Sequence, residues 1–174
     1  MSKAVFLDRD GVINRAVVRD GKPYPPADLS ETEILPGVED ALLDLKAANF
    51  LLIVITNQPD VARGITARET VDGINAFLGS RLPIDEFRTC YHDSGDGCDC
   101  RKPLPGSILS AAQKYGIDLS ASFMVGDRWR DIEAGQNAGC RTIFIDYGYN
   151  EKQPATEVRR VSSLKEAANV ILGE

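Results

Sequence analysis

Asp8-Arg9-Asp10-Gly11 sets two carboxylates two residues apart beside a glycine. At a strand end both can point into one site, where one attacks as a nucleophile and the other moves a proton or helps hold a metal. A charged turn capping the strand is the plainer alternative. Thr56-Asn57-Gln58 offers a hydroxyl and two amides that can donate to a phosphate oxygen, or that merely form a polar strand exit. Arg101-Lys102-Pro103 supplies two adjacent cations. Arginine grips phosphate through paired hydrogen bonds and lysine acts as a point charge, although such a dipeptide can also be a solvated basic pair. In Gly126-Asp127-Arg128-Trp129-Arg130-Asp131, Asp127 is a candidate Mg²⁺ ligand, because that ion takes oxygen donors and few protein carboxylates. Asp131 lies over the next helical turn, either in the site or as an N-terminal cap. Taken together, Asp8, Asp10 and Asp127 provide carboxylates for one Mg²⁺, and Thr56, Asn57 and Lys102 provide donors for a phosphoryl group.

A second constellation is Cys90-x-His92-x5-Cys98-x-Cys100. Three thiolates and an imidazole suit a closed tetrahedral Zn²⁺ site, and His92 is the sole histidine of the chain. Reduced, unligated cysteines in a surface loop are the alternative. With four protein ligands no position stays open for water, so the expected role is structural, fixing the loop just before Arg101 and Lys102. Cys140 stands apart and reads as a small buried residue. Trp129 reads as a partly buried helix aromatic. Arg9, Arg15, Arg19 and Lys22 crowd the segment after Asp10, as a solvated face or as a local positive field for an anionic sugar.

The elements that must position these residues alternate between strand and helix. Apolar or branched runs predict strands at 3–7, 50–56, 87–92, 122–125 and 141–145. Val38, Ala41, Leu42 and Leu45 recur at helical spacing, and Thr66-Ala67-Arg68-Glu69 predicts a capping box opening a helix to about residue 79. Further helices are expected from Pro105 to about 115, over 129–138, and from Ser163 onward; residues 17–33 and 92–103 read as irregular. This alternation implies an α/β fold, a doubly wound parallel sheet with a Rossmann-like core, and chemistry at the carboxyl ends of the strands. The 174 residues fit a single domain over 1–174, with the zinc loop at 90–100 as an insertion. With 43% hydrophobic and 26% charged residues, disorder is excluded. The net charge of -6 argues against nucleic acid as a partner. The longest apolar run, 50–55, falls far short of the roughly 20 residues of a membrane span. The four apolar residues before Asp8 are too few for a signal peptide. A cytoplasmic monomer is the expectation.

At this point the sequence resembles the haloacid dehalogenase superfamily of phosphohydrolases, through Asp8-Arg9-Asp10-Gly11, Thr56, Lys102 and Gly126-Asp127. Within it, the strings Phe6-Leu7-Asp8-Arg9-Asp10-Gly11-Val12-Ile13-Asn14, Thr56-Asn57-Gln58 and Cys100-Arg101-Lys102-Pro103 are most similar to the heptose 1,7-bisphosphate phosphatase and histidinol-phosphate phosphatase subgroup. The resemblance implies a core without a cap domain and Mg²⁺-dependent hydrolysis of a phosphomonoester through an aspartyl-phosphate. Asp8 would be the nucleophile and Asp10 the acid and base. Asp8, the Asp10 backbone carbonyl and Asp127 would hold Mg²⁺, while Thr56 and Lys102 would steady the phosphoryl group. Asn57, Arg101 and Arg128 would contact substrate, with Arg101 on a second phosphate. The subgroup also carries a Cys-x-His and Cys-x-Cys zinc loop, often with a longer middle spacing than here. The implied substrate is a sugar phosphate, foremost the C7 phosphate of a heptose 1,7-bisphosphate on the route to nucleotide-activated heptose. Histidinol phosphate is the runner-up, and a zinc-bearing sugar-phosphate-binding or interaction module without catalysis is the non-enzyme alternative.

Overall fold

The computed structural model describes residues 1–173. Strands β1 (Lys3–Leu7), β4 (Phe50–Asn57), β5 (Glu86–Cys90), β6 (Phe123–Gly126), β7 (Arg141–Ile145) and β8 (Arg159–Val161) form one parallel sheet in the order β5-β4-β1-β6-β7-β8. A short antiparallel hairpin, β2 (Val17–Arg19) and β3 (Lys22–Tyr24), stands apart. The helices are α1 (Val38–Ala47), α2 (Arg68–Arg81), α3 (Gly106–Tyr115), α4 (Trp129–Ala138) and α5 (Leu164–Leu172).

Side chains alternate across a strand, so each central strand feeds two cores. Val5, Leu7, Leu52, Val54, Phe123 and Val125 point to one face, with Leu42 and Leu45 of α1, Leu78 of α2 and Ile171 of α5. Ala4, Phe6, Ile53, Ile55 and Met124 point to the other, with Ile108 of α3 and Ala134 of α4. Burial on both faces explains why β1 and β4 read as unbroken apolar runs. The helical spacing at 38, 41, 42 and 45 marks the buried stripe of α1, as expected.

The chain steps outward from β1 to β4 and β5, then crosses back to lay β6 on the other side of β1. The point where strand order reverses therefore lies between β1 and β6, and a crevice opens there beyond their carboxyl ends. Asp8 and Asp127 follow these two strands directly.

Three local expectations are corrected, and one strand was not foreseen. Residues 17–33 are not irregular throughout, since they hold the hairpin and a 3-10 turn at Leu29–Glu31. β8 carries two exposed arginines on an edge strand, which hides any strand pattern. α2 starts without the expected capping box; its N-cap is Ala67, and the Thr66 amide donates to the Asp60 carbonyl instead. β5 runs from Glu86 to Cys90, because pairing with β4 ends at Asn57–Cys90 and the chain then turns into the cysteine loop.

Candidate active site

Lys102 is the hub of the crevice. Its Nζ donates to Asp8 Oδ1 at 2.8 Å and to the Ile55 carbonyl at 2.6 Å, and lies 2.7 Å from Asp131 Oδ1. All three charged side chains are buried. Burial opposes the Lys102 ammonium, but Asp131 and Asp8 outweigh it and push its pKa up, so it stays charged. Burial, with the Asp131 carboxylate beside it, pushes the Asp8 carboxyl up to about 6 despite Lys102. Asp127 is raised by burial and by the Asp8 and Asp131 charges. Three carboxylates crowded in a dry site repel one another, and a divalent cation relieves that repulsion.

The donor set fits such a cation. Oxygens of Asp8, Asp127 and Asp131 lie within 4.8 Å of one another. Asp127 Oδ2 accepts from Tyr149 Oη at 2.7 Å, while Asp127 Oδ1 is buried without a partner. A hard ion that takes oxygen ligands suits that atom. Close backbone approach makes the cluster possible. Gly11 has φ +90°, and a Cβ there would lie 2.0 Å from Asp127 Oδ2; a Cβ on Gly126 would lie 2.1 Å from Asp131 Cβ.

Asp10 is not the third carboxylate of this cluster; Asp131 is. The Asp10 carboxylate turns toward four donor groups: Asn14 Nδ2 at 3.0 Å, Gln58 Nε2 at 2.8 Å, and Arg9 Nε and an Arg9 terminal nitrogen at 3.2 and 3.0 Å. Gln58 Nε2 also reaches the buried Thr56 hydroxyl at 2.9 Å. Thr56, Gln58 and Asp10 thus share one wall of the site. Asp131 fills both roles that its spacing allowed, because its Oδ2 also accepts from the Arg128 amide at 3.0 Å at the start of α4.

Asn57 is spent differently from expectation. Its amide takes the Lys102 N–H and returns a bond to the Lys102 carbonyl, at 3.1 and 3.0 Å, so it clamps the lysine backbone rather than offering a free donor. Arg128 lines the crevice, but its guanidinium is held by Glu151. The positive-field reading after Asp10 survives only at Lys22. Arg9 is fully buried and bonded to Asn75, Arg15 pairs with Glu33, and Arg19 lies over the Tyr24 ring at 4.4 Å. Only residues far apart in sequence could reveal the Asn75, Tyr149 and Glu151 contacts, and no local pattern marks them.

The crevice has a volume of about 280 Å³, and Lys22, Tyr24, Arg101, Arg128 and Arg130 ring it beyond Lys102. Arg130 lies over Trp129 at 4.8 Å, and Arg101 donates to the His92 carbonyl at 3.4 Å. Beside this rim, Cys90, His92, Cys98 and Cys100 bring their donor atoms within 4.8 Å of one another, an arrangement compatible with a zinc site. A tetrahedral zinc with bonds of about 2.3 Å to sulfur sets its ligand atoms about 3.5–3.8 Å apart. Cys90 Sγ lies 3.7 Å from Cys98 Sγ and 3.6 Å from His92 Nδ1, and His92 Nδ1 lies 3.3 Å from Cys100 Sγ; the Cys90–Cys100 sulfurs are closer, at 2.7 Å.

Comparison with known proteins agrees with this geometry. A family model described as HAD-hydrolase-like matches residues 99–167. The chain is 34% identical over 169 residues to the D-glycero-beta-D-manno-heptose-1,7-bisphosphate 7-phosphatase of Pasteurella multocida, covering 90% of this chain and 86% of that one. It is 36% identical over 154 residues to the enzyme of the same name from Escherichia coli K12, covering 82% and 78%. The crystal structure of the D,D-heptose 1,7-bisphosphate phosphatase from B. bronchiseptica, complexed with magnesium and phosphate, superposes with a TM-score of 0.81 at 30% identity, over 98% of both chains.

Proposed function

The chain belongs to the haloacid dehalogenase-like phosphatases, and we propose that it removes the C7 phosphate of a heptose 1,7-bisphosphate, as a cytoplasmic, single-domain monomer. The Asp8–Lys102–Asp131 ion triad beside the unpartnered oxygen of Asp127, at the floor of a cationic crevice, carries the chemical reading. The likeness to the named 7-phosphatases supports the substrate.

Asp8, Asp127 and the Asp10 carbonyl would hold Mg²⁺, with Asp131 beside them. Mg²⁺ would neutralise charge on the nucleophile and on the transferring phosphoryl group. Asp8 attacks phosphorus as the bond from phosphorus to the C7 oxygen breaks, and Asp10 gives its proton to that leaving oxygen. Asp10 then takes a proton from water, whose oxygen attacks the aspartyl-phosphate; inorganic phosphate leaves and Asp8 is restored. Arg9, Asn14 and Gln58 hold Asp10 in place for both steps. Lys102 and Thr56 steady the phosphoryl oxygens, and Asn57 fixes the Lys102 backbone. Arg101, Arg128 and Arg130 face the rest of the substrate, where a second phosphate meets cations. Cys90, His92, Cys98 and Cys100 would hold a structural Zn²⁺ that stiffens the entry to Arg101 and Lys102.

The test is phosphate release with Mg²⁺ across heptose 1,7-bisphosphate, sugar monophosphates and histidinol phosphate. A kcat/KM for the bisphosphate well above the others is the expected result. Preference for histidinol phosphate would keep the mechanism and replace the substrate. Binding of sugar phosphate without turnover by folded, metal-loaded protein would overturn the enzyme reading.

A further inference from the structure

Tyr149 lies beyond β7, outside every motif that points to phosphoryl transfer, yet its hydroxyl reaches the floor of the site. It donates to Asp127 Oδ2 at 2.7 Å. The segment on either side is fastened to the rest of the site. Tyr147 Oη donates to the Gly11 carbonyl at 2.8 Å, the Asn150 amide donates to the Gly21 carbonyl at 2.7 Å, and Glu151 grips Arg128. The Tyr147 and Tyr149 rings pack against each other, tilted by 35° with centroids 5.5 Å apart. Tyr149 is thereby held at the carboxylate by its neighbours in the chain, before any ligand arrives.

The two oxygens of Asp127 have different surroundings. Oδ2 has the tyrosine hydroxyl, while Oδ1 is buried and unpartnered. Gly11 closes the remaining space, since a Cβ there would meet Asp127 Oδ2 at 2.0 Å and Tyr149 Oη at 3.2 Å. The tyrosine hydroxyl has one proton to give and the carboxylate oxygen accepts it, so the bond runs from Tyr149 to Asp127.

We propose that Tyr149 is a positioning residue for the metal site: its hydroxyl occupies one oxygen of Asp127 and thereby turns the other toward the cation. The proposal rests on the Mg²⁺-dependent phosphatase reading and adds an outer partner to it. Such partners orient metal-binding carboxylates, and losing one typically weakens metal binding about 10- to 100-fold.

The test is calorimetric titration of Mg²⁺ into the zinc-loaded full chain, without substrate, for wild type, Tyr149→Phe and Tyr147→Phe. Tyr149→Phe keeps the ring and its packing on Tyr147 and removes only the hydroxyl. The expected result is Mg²⁺ affinity about 10- to 100-fold weaker in Tyr149→Phe and a clearly smaller loss in Tyr147→Phe, whose hydroxyl meets a backbone carbonyl and no carboxylate. The rise in Tm on adding Mg²⁺ shrinks in Tyr149→Phe, and kcat recovers at saturating Mg²⁺. Affinity within about twofold of wild type overturns the assignment, as does equal weakening in Tyr147→Phe, which would assign the effect to the strap as a whole. Failure of Tyr149→Phe to fold also overturns it, because the hydroxyl would then serve the fold. If wild type itself neither binds Mg²⁺ nor hydrolyses a phosphate ester, the phosphatase reading fails instead.

Discussion

Asp8 is a largely buried carboxylate at the floor of the crevice, between one ammonium and two other carboxylates. Its folded pKa of about 6 lies above the ordinary 3.8, so the folded state binds the proton more tightly than the unfolded chain does. Its contribution to stability is therefore present below about pH 4 and is lost as pH rises through 6. In Mg²⁺-free protein, Asp8→Asn should remove that loss, which a comparison of Tm for the two proteins between pH 4 and 7 would show. A wild-type curve parallel to that of the variant would contradict the assigned burial. In the proposed mechanism the same substitution removes the nucleophile, and phosphate release should fall at least about 10⁴-fold. Gly11 is the other residue on which the site turns. With φ +90° and no room for a Cβ, Gly11→Ala strains the backbone and pushes Asp127 aside. A stability loss of roughly 1–3 kcal/mol in denaturant melts is expected, with weaker Mg²⁺ binding.

At the scale of elements, each candidate catalytic group rides on the end of a strand or on a loop tied to one. β1 delivers Asp8, β4 delivers Thr56 and Asn57, and β6 delivers Asp127. Lys102 has no strand of its own and arrives on the cysteine loop, clamped to β4 through Asn57. That loop has no ladder of backbone bonds of its own, and in the proposed function its order depends on the zinc that Cys90, His92, Cys98 and Cys100 would hold. Cys98→Ser, or stripping the zinc with a chelator, should raise KM several-fold or more while kcat falls less, since the rim cation Arg101 loses its support before Lys102 does. Metal analysis should find one zinc per chain in wild type and little in Cys98→Ser. Full zinc loss with unaltered KM would remove the loop from substrate binding.

At the scale of the whole molecule, the cations of the crevice come from distant segments: Lys22 from the hairpin, Arg63 from the loop between β4 and α2, Arg101 and Lys102 from the cysteine loop, and Arg128 and Arg130 at the start of α4. In the proposed function their convergence supplies cations for the second phosphate of the substrate. Arg130→Ala should lower kcat/KM for the bisphosphate roughly 10- to 100-fold, the worth of a charge-assisted hydrogen bond, and leave the corresponding 7-monophosphate far less affected. Equal losses on both substrates would count against that role. The sequence alone determined the α/β class, the strands that carry Asp8, Thr56 and Asp127, the Cys/His cluster and the phosphatase family. These depend on local periodicity, on residue types at strand ends and on contiguous strings, all of which are written in neighbouring residues. Tertiary structure decided the rest. It turned the Asp10 carboxylate to Arg9, Asn14 and Gln58, made Asp131 the third carboxylate, committed Asn57 to Lys102 and brought Tyr149 to Asp127. Those outcomes depend on which buried polar atoms meet when distant segments pack, because each must find a partner away from water, and spacing along the chain does not encode that meeting.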